Sequence, residues 1–132
     1  MSELLAMSCH HPARLTFSLA ALAARAQHPS SNRDGWGIAF YQGADVALYR
    51  DTQPADNSPL LDWLTHSGPA TQTAIGYIRH GTQGGVTLAN TGPFLRELNG
   101  RIHTFAHNGN LRCAMTTRDT AGDRFQPIGN TD

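Results

Sequence analysis

The order of elements read from the chain, strand, helix, two strands, helix, strand, loop, strand, predicts a layered α+β fold. Three observations carry that prediction. Leu15, Leu19 and Leu22 recur on a helical repeat; two apolar runs meet at Gly43 as a tight-turned pair of strands; and later β-branched and aromatic runs each end in a polar loop. Periodicity leaves the topology open.

Each element has its own local reason. "ELLAMS", Glu3 to Ser8, is short, apolar and bounded by His10, His11 and Pro12, which predicts a strand. A helix is expected from Pro12 or Ala13 to Ala26, its leucines filled in by Ala20, Ala21, Ala23 and Ala24 and its end marked by "HPSSNRDG". Strands follow at Trp36 to Gln42 and Asp45 to Arg50. In "NSPLLDWLTHSG", Asn57 or Ser58 reads as a cap, Pro59 as a first-turn residue and Gly68 as a stop, so a short helix is expected. "TAIGYIRHG" reads as a strand running into the loop "HGTQGG". "RIHTFAHNG" reads as a strand ending at the turn pair Asn108-Gly109. "RELNGR" reads as the one compact basic stretch, diluted by Glu97 and broken by Gly100, and the tail "TTRDTAGDRFQPIGNTD" is polar and turn-rich.

Length and charge narrow the function classes. The 132 residues suit a single domain, 1–132, with one modest core. Ten basic side chains balance ten acidic ones, and no basic face stands out, so nucleic acid is not expected as a partner. No apolar run is long enough to cross a bilayer, so no membrane association is expected. The opening "MSELLAMSCHHPARL" is acidic and lacks a charged-then-apolar leader, so the expected location is cytoplasmic. Cys9 and Cys113 then read as reduced thiols. His103 and His107 lie four apart and Cys9-His10-His11 form a local cluster, but neither group finds a third ligand at a recognised spacing. No metal and no cofactor are expected.

Ser2 carries a chemical possibility of its own. Met1 is usually trimmed before a small residue, and its removal would leave Ser2 with a free α-amine beside its hydroxyl. That amine can serve as base for the hydroxyl.

Several short motifs join this opening in order: "DGWGIAFY" (Asp34 to Tyr41), "IRHGTQGGV" (Ile78 to Val86), "NTGPF" (Asn90 to Phe94), "AHNG" (Ala106 to Gly109) and "GNTD" (Gly129 to Asp132). With Met1 to Ser8 in place of an "M-C-E-L-L-G-M-S" opening, the whole chain resembles the small stand-alone members of the class II glutamine amidotransferase family. The resemblance implies an N-terminal-nucleophile fold, an αββα sandwich of antiparallel sheets. At 132 residues the chain is about half the length of those members, so the expected structure is that sandwich truncated to its N-terminal half. A half-sandwich exposes apolar sheet surface, so either a partner chain or a second copy of this chain is expected to complete the fold, or the chain is a truncated product.

The activity implied is hydrolysis of the side-chain amide of glutamine, or of another γ-glutamyl compound, by the residue exposed when Met1 is removed. By resemblance the catalytic residues are Ser2, Asn108 and Gly109, the last two supplying an oxyanion hole from a side-chain amide and a backbone N–H. A free α-amine has a reference pKa near ~7.7–8.0, so part of it is neutral and basic at pH 7. Arg79 matches the position that takes the substrate carboxylate, which its planar fork suits. Gly81, Thr82 and His107 match residues around the same substrate, and Asp132 the residue that holds the substrate amine. Two departures stand out: serine in place of the family cysteine at Ser2, and Gly92 where the family often has histidine. A hydroxyl is a weaker nucleophile than a thiolate. The alternative expectation is therefore a non-catalytic relic, or a fragment that binds γ-glutamyl ligands without turnover.

Overall fold

In a computed structural model that describes residues 1–111 and 128–131, the chain folds into three layers. The middle layer is a four-stranded antiparallel sheet made of β1 (Glu3–Ala13), β2 (Trp36–Gln42), β3 (Asp45–Asp51) and β4 (Thr71–Ile78), in the order β1-β4-β2-β3. Helices α1 (Thr16–Ala24) and α2 (Pro59–Ser67) cover one face. A two-stranded hairpin, β5 (Phe94–Leu98) and β6 (Arg101–Phe105), is tied to the other.

Strand alternation sorts the sheet residues between these layers. Trp36, Ile38 and Phe40 of β2 and Ala74 and Ile78 of β4 are buried beneath Leu19 and Leu22 of α1 and Leu61 and Leu64 of α2. Each such side chain contributes roughly 1.5–3 kcal/mol on burial, which makes this face the main source of stability. Tyr77, Gly37 and Tyr41 alternate onto the opposite face, where the hairpin lies. Helix α2 has the termini its sequence predicts. The Ser58 hydroxyl accepts from the Leu61 N–H at 3.4 Å and donates to Asp51 at 3.1 Å, Pro59 opens the first turn, and Gly68 ends the last.

Three boundaries differ from expectation. Strand β1 does not stop at Ser8 but runs to Ala13, with its pairing to β4 shifting register between Ser8 and Ala13. A bulge takes up the irregular residues, and this tolerates Pro12, which has no N–H to give to a ladder. Cys9 sits half-buried there, its Sγ 3.0 Å from the His11 carbonyl oxygen. Helix α1 consequently starts later, at Thr16. The third difference is β5, which was not expected at all. It pairs with β6 from Phe94↔Phe105 to Leu98↔Arg101 around Asn99 (φ 55°) and Gly100 (φ 75°), a two-residue turn whose left-handed residues match the twist of the strands.

Tyr41 and the β2–β3 turn hold this hairpin. The Thr104 N–H donates to the Tyr41 hydroxyl at 3.1 Å, that hydroxyl lies 3.0 Å from Thr104 Oγ1, and the Ile102 N–H donates to the Ala44 carbonyl at 2.9 Å. Leu95, Leu98 and Phe105 stay exposed, and Leu95 and Phe105 line a groove of about 640 Å³ between β3, the hairpin and residues 128–131. Among the described residues no helix is long and apolar enough to cross a membrane.

Candidate active site

The antiparallel register of β1 with β4 sets Glu3 opposite Ile78. One step further along each strand, Ser2 and Arg79 therefore meet, although they are far apart in sequence. They share a small cavity with Tyr77, His80, Thr82, Asn90, Phe94, His107, Gly109 and Thr131.

Ser2 is 7% exposed and its hydroxyl oxygen has two partners. The His80 N–H donates to it at 3.1 Å, and the Tyr77 hydroxyl lies 3.1 Å away. Met1, which precedes it, is 84% exposed. While the Met1–Ser2 peptide bond stands, Ser2 has no amine to act as base.

Arg79 is 1% exposed, and its side chain is held by carbonyls instead of a carboxylate. Nη2 donates to the Gln83 oxygen at 2.7 Å and more weakly to Gly84 at 3.4 Å. Nη1 is buried and has no partner among the described residues. The guanidinium lies against Gly81, where a Cβ would come within 2.7–3.0 Å of its atoms, so a larger residue there would push the guanidinium aside. The "DG" of the second motif clamps this segment. The Arg79 N–H donates to the Gly35 carbonyl at 2.8 Å, the Asp34 N–H to the Arg79 carbonyl at 3.2 Å, and the Gly81 N–H to the Asp34 carboxylate at 2.7 Å.

The remaining expected residues are placed as follows. Thr82 is exposed and donates to Asn110 at 2.6 Å, which ties the loop after β4 to the segment after β6. His107 lines the cavity with its ring stacked on Phe105, and its Nε2 is buried without a partner among the described residues. Gly109 also lines the cavity, whereas Asn108 is exposed and lies outside its lining. Asp132 and Cys113 fall outside the described residues. Among the described residues, no group of three or more potential metal ligands comes together.

Five residues of the lining, Tyr77, His80, Asn90, Phe94 and Thr131, and Asn130 behind it, have no assigned role in the sequence reading. Tyr77 shares a strand face with Arg79 by the alternation of β4, a signal open to any reader of the motif. His80 contributes through its backbone, which no side-chain pattern reveals. Asn90 and Asn130 bond to each other twice, each at 2.8 Å, and so join "NTGPF" to "GNTD" and bring Thr131 to the cavity. Both motifs are visible in the sequence; their pairing is not.

Comparison with known proteins now bears on this geometry. The family model described as "Glutamine amidotransferases class-II" matches residues 1–132. The chain is 40% identical over 132 residues to a Haemophilus influenzae protein named "Putative glutamine amidotransferase", covering 100% of this chain and 44% of that one. It is 39% identical over 132 residues to an Escherichia coli protein named "Putative glutamine amidotransferase YafJ", covering 100% and 51%. A solved structure, of a "predicted glutamine amidotransferase from Pseudomonas aeruginosa PA01", superposes with a TM-score of 0.60 at 34% identity, covering 98% of this chain and 50% of that one. The chain thus spans about half the length of the curated relatives it matches. Matched along its whole length by the family model and by a structure of the same architecture, the chain belongs to the class II glutamine amidotransferase family.

Proposed function

We propose that the chain carries the glutamine site of an N-terminal-nucleophile amidohydrolase acting in the cytoplasm. Once Met1 is removed, the Ser2 hydroxyl attacks the side-chain amide carbon of glutamine or of another γ-glutamyl amide. The observation that carries this reading is the pairing of a buried, hydrogen-bonded hydroxyl with a buried guanidinium whose Nη1 lacks a partner among the described residues. A buried cation with an open N–H is costly unless an anion reaches it, and the substrate carboxylate is such an anion. His107 Nε2, also open, supports a second contact to the same ligand. The Gly109 N–H, with the Asn108 amide turned inward over bound substrate, stabilises the oxyanion; Asp132 takes the substrate amine.

A non-catalytic reading is favoured by one observation. The cavity measures about 20 Å³, room for a water but not for an amino acid. The two readings are separated by glutamate release from glutamine, measured on this chain and on Ser2→Cys after mass spectrometry has shown the N-terminus to be free of Met1. Release by the serine chain establishes the proposal. Release by the cysteine variant alone means an intact pocket with a disabled nucleophile, and silence in both, from folded protein, leaves the non-catalytic reading. Arg79→Ala should abolish glutamine binding by calorimetry, and unchanged affinity would remove Arg79 from the pocket.

A further inference from the structure

We infer that Tyr77 is a further catalytic residue, its phenol donating a hydrogen bond to the Ser2 oxygen whenever that oxygen carries negative charge. The inference rests on the proposed nucleophilic role of Ser2. It starts from the two contacts on Oγ, the His80 N–H at 3.1 Å and the Tyr77 hydroxyl at 3.1 Å. A backbone N–H only donates, so Oγ is an acceptor on that side. The phenol either donates or accepts. When the free α-amine takes the hydroxyl proton, Oγ has three lone pairs. His80 occupies one, a donating Tyr77 a second, and the third is left to attack the amide carbon.

The need for two donors follows from the nucleophile. A serine hydroxyl gives up its proton far less readily than a thiol, and hydrogen bonds to an ionised oxygen are among the strong ones. In the first step the Oγ–carbon bond forms, the carbon–nitrogen bond breaks, and the proton taken by the α-amine passes to the departing ammonia. In the second, the neutral α-amine takes a proton from water as the water adds to the ester, the carbon–Oγ bond breaks, that proton passes to Oγ, and glutamate is released. Tyr77 keeps its own proton throughout and stabilises Oγ at both the start and the end.

Two further observations support the assignment. Among the described residues Ser2 is the only hydrogen-bond partner of the Tyr77 hydroxyl, which therefore has no separate structural use. The ring also packs where Gly92 stands: a Cβ on Gly92 would lie 3.3 Å from Tyr77 Cδ1 and 3.6 Å from Cε1. A larger residue at Gly92 would press on the ring by only a few tenths of an ångström.

The test is Tyr77→Phe, which keeps the ring and removes only the hydroxyl, made in the serine chain and in Ser2→Cys. Two rates are read: glutamate release from glutamine, and covalent labelling of Ser2 by a fluorophosphonate, which needs no glutamine pocket. In the serine chain both rates should fall about 10²-fold, as on loss of one preorganised donor. KM for glutamine should stay within about threefold, because the lost bond acts on the nucleophile and not on substrate binding. In the cysteine background the loss should be under about threefold, since a thiolate needs less help. Unchanged rates in the serine chain overturn the role of Tyr77 and leave the glutamine reading standing. Labelling that depends on Tyr77 without glutamate release does the reverse. Equal losses in both backgrounds mean a merely structural tyrosine, and folded, Met1-free protein that neither labels nor turns over overturns both.

Discussion

The chain uses the dipeptide Asn-Gly twice, nine residues apart, and folds it in two ways. Asn99-Gly100 has both residues in the left-handed region and is closed by the ladder between β5 and β6. Asn108-Gly109 follows the end of β6, has only Gly109 at positive φ (146°), and puts Gly109 at the cavity that holds Ser2. The same two residues are scaffold in one place and candidate chemistry in the other. What separates them is placement: Asn99-Gly100 is closed between two paired strands, whereas Asn108 is exposed and Gly109 lines the cavity, where its N–H and the neighbouring amide can face a ligand.

The largest effect should come from the second pair. Asn108→Ala is expected to slow glutamine turnover by a factor of roughly 10²–10³ while leaving the melting temperature unchanged. Turnover that survives intact would mean that both pairs are only turns. Gly100→Ala should do the opposite. A methyl group at φ 75° costs roughly 1–2 kcal/mol, read as a lower denaturation midpoint, with turnover per folded molecule preserved. If Gly100→Ala instead abolished turnover while the chain stayed folded, the hairpin would be part of what positions the site.

The same contrast explains how much the sequence revealed. Elements with local punctuation were legible: Ser58, Pro59 and Gly68 bound α2, and Gly43 joins β2 to β3. Strand β5 was missed because "FLREL" is charged and exposed, and Asn99-Gly100 had been read as part of a basic stretch although it was the hairpin signal. Strand β1 outran its expected end because a bulge can carry Pro12, which no local rule announces. At the site, Ser2, Arg79, Gly81, Thr82, His107, Asn108, Gly109 and Asp132 are named from motif resemblance; the structure places Ser2, Arg79, Thr82, His107 and Gly109 in the cavity lining and packs Gly81 on the Arg79 guanidinium, leaves Asn108 outside the lining, and Asp132 lies outside the described residues. The contacts between motifs, Ser2 with Tyr77 and Asn90 with Asn130, depend on sheet register and chain return, and short-range patterns carry neither.

The smallest effect sharpens the comparison most. A turn held by a strand ladder needs no outside help, whereas the segment carrying Asn108-Gly109 is tied to the loop after β4 by the Thr82 hydroxyl donating to Asn110 at 2.6 Å. Such an exposed bond is worth about 1 kcal/mol net, so Thr82→Val should lower kcat by at most about fivefold and stability by at most about 1 kcal/mol, and Thr82→Ser should restore both. Asn110→Ala should cause the same loss, and the double variant no more than either alone, because both break one bond. Losses that multiply in the double variant would instead mean that Thr82 touches substrate directly. The site pair would then be held by its ligand, where the hairpin pair is held by its strands.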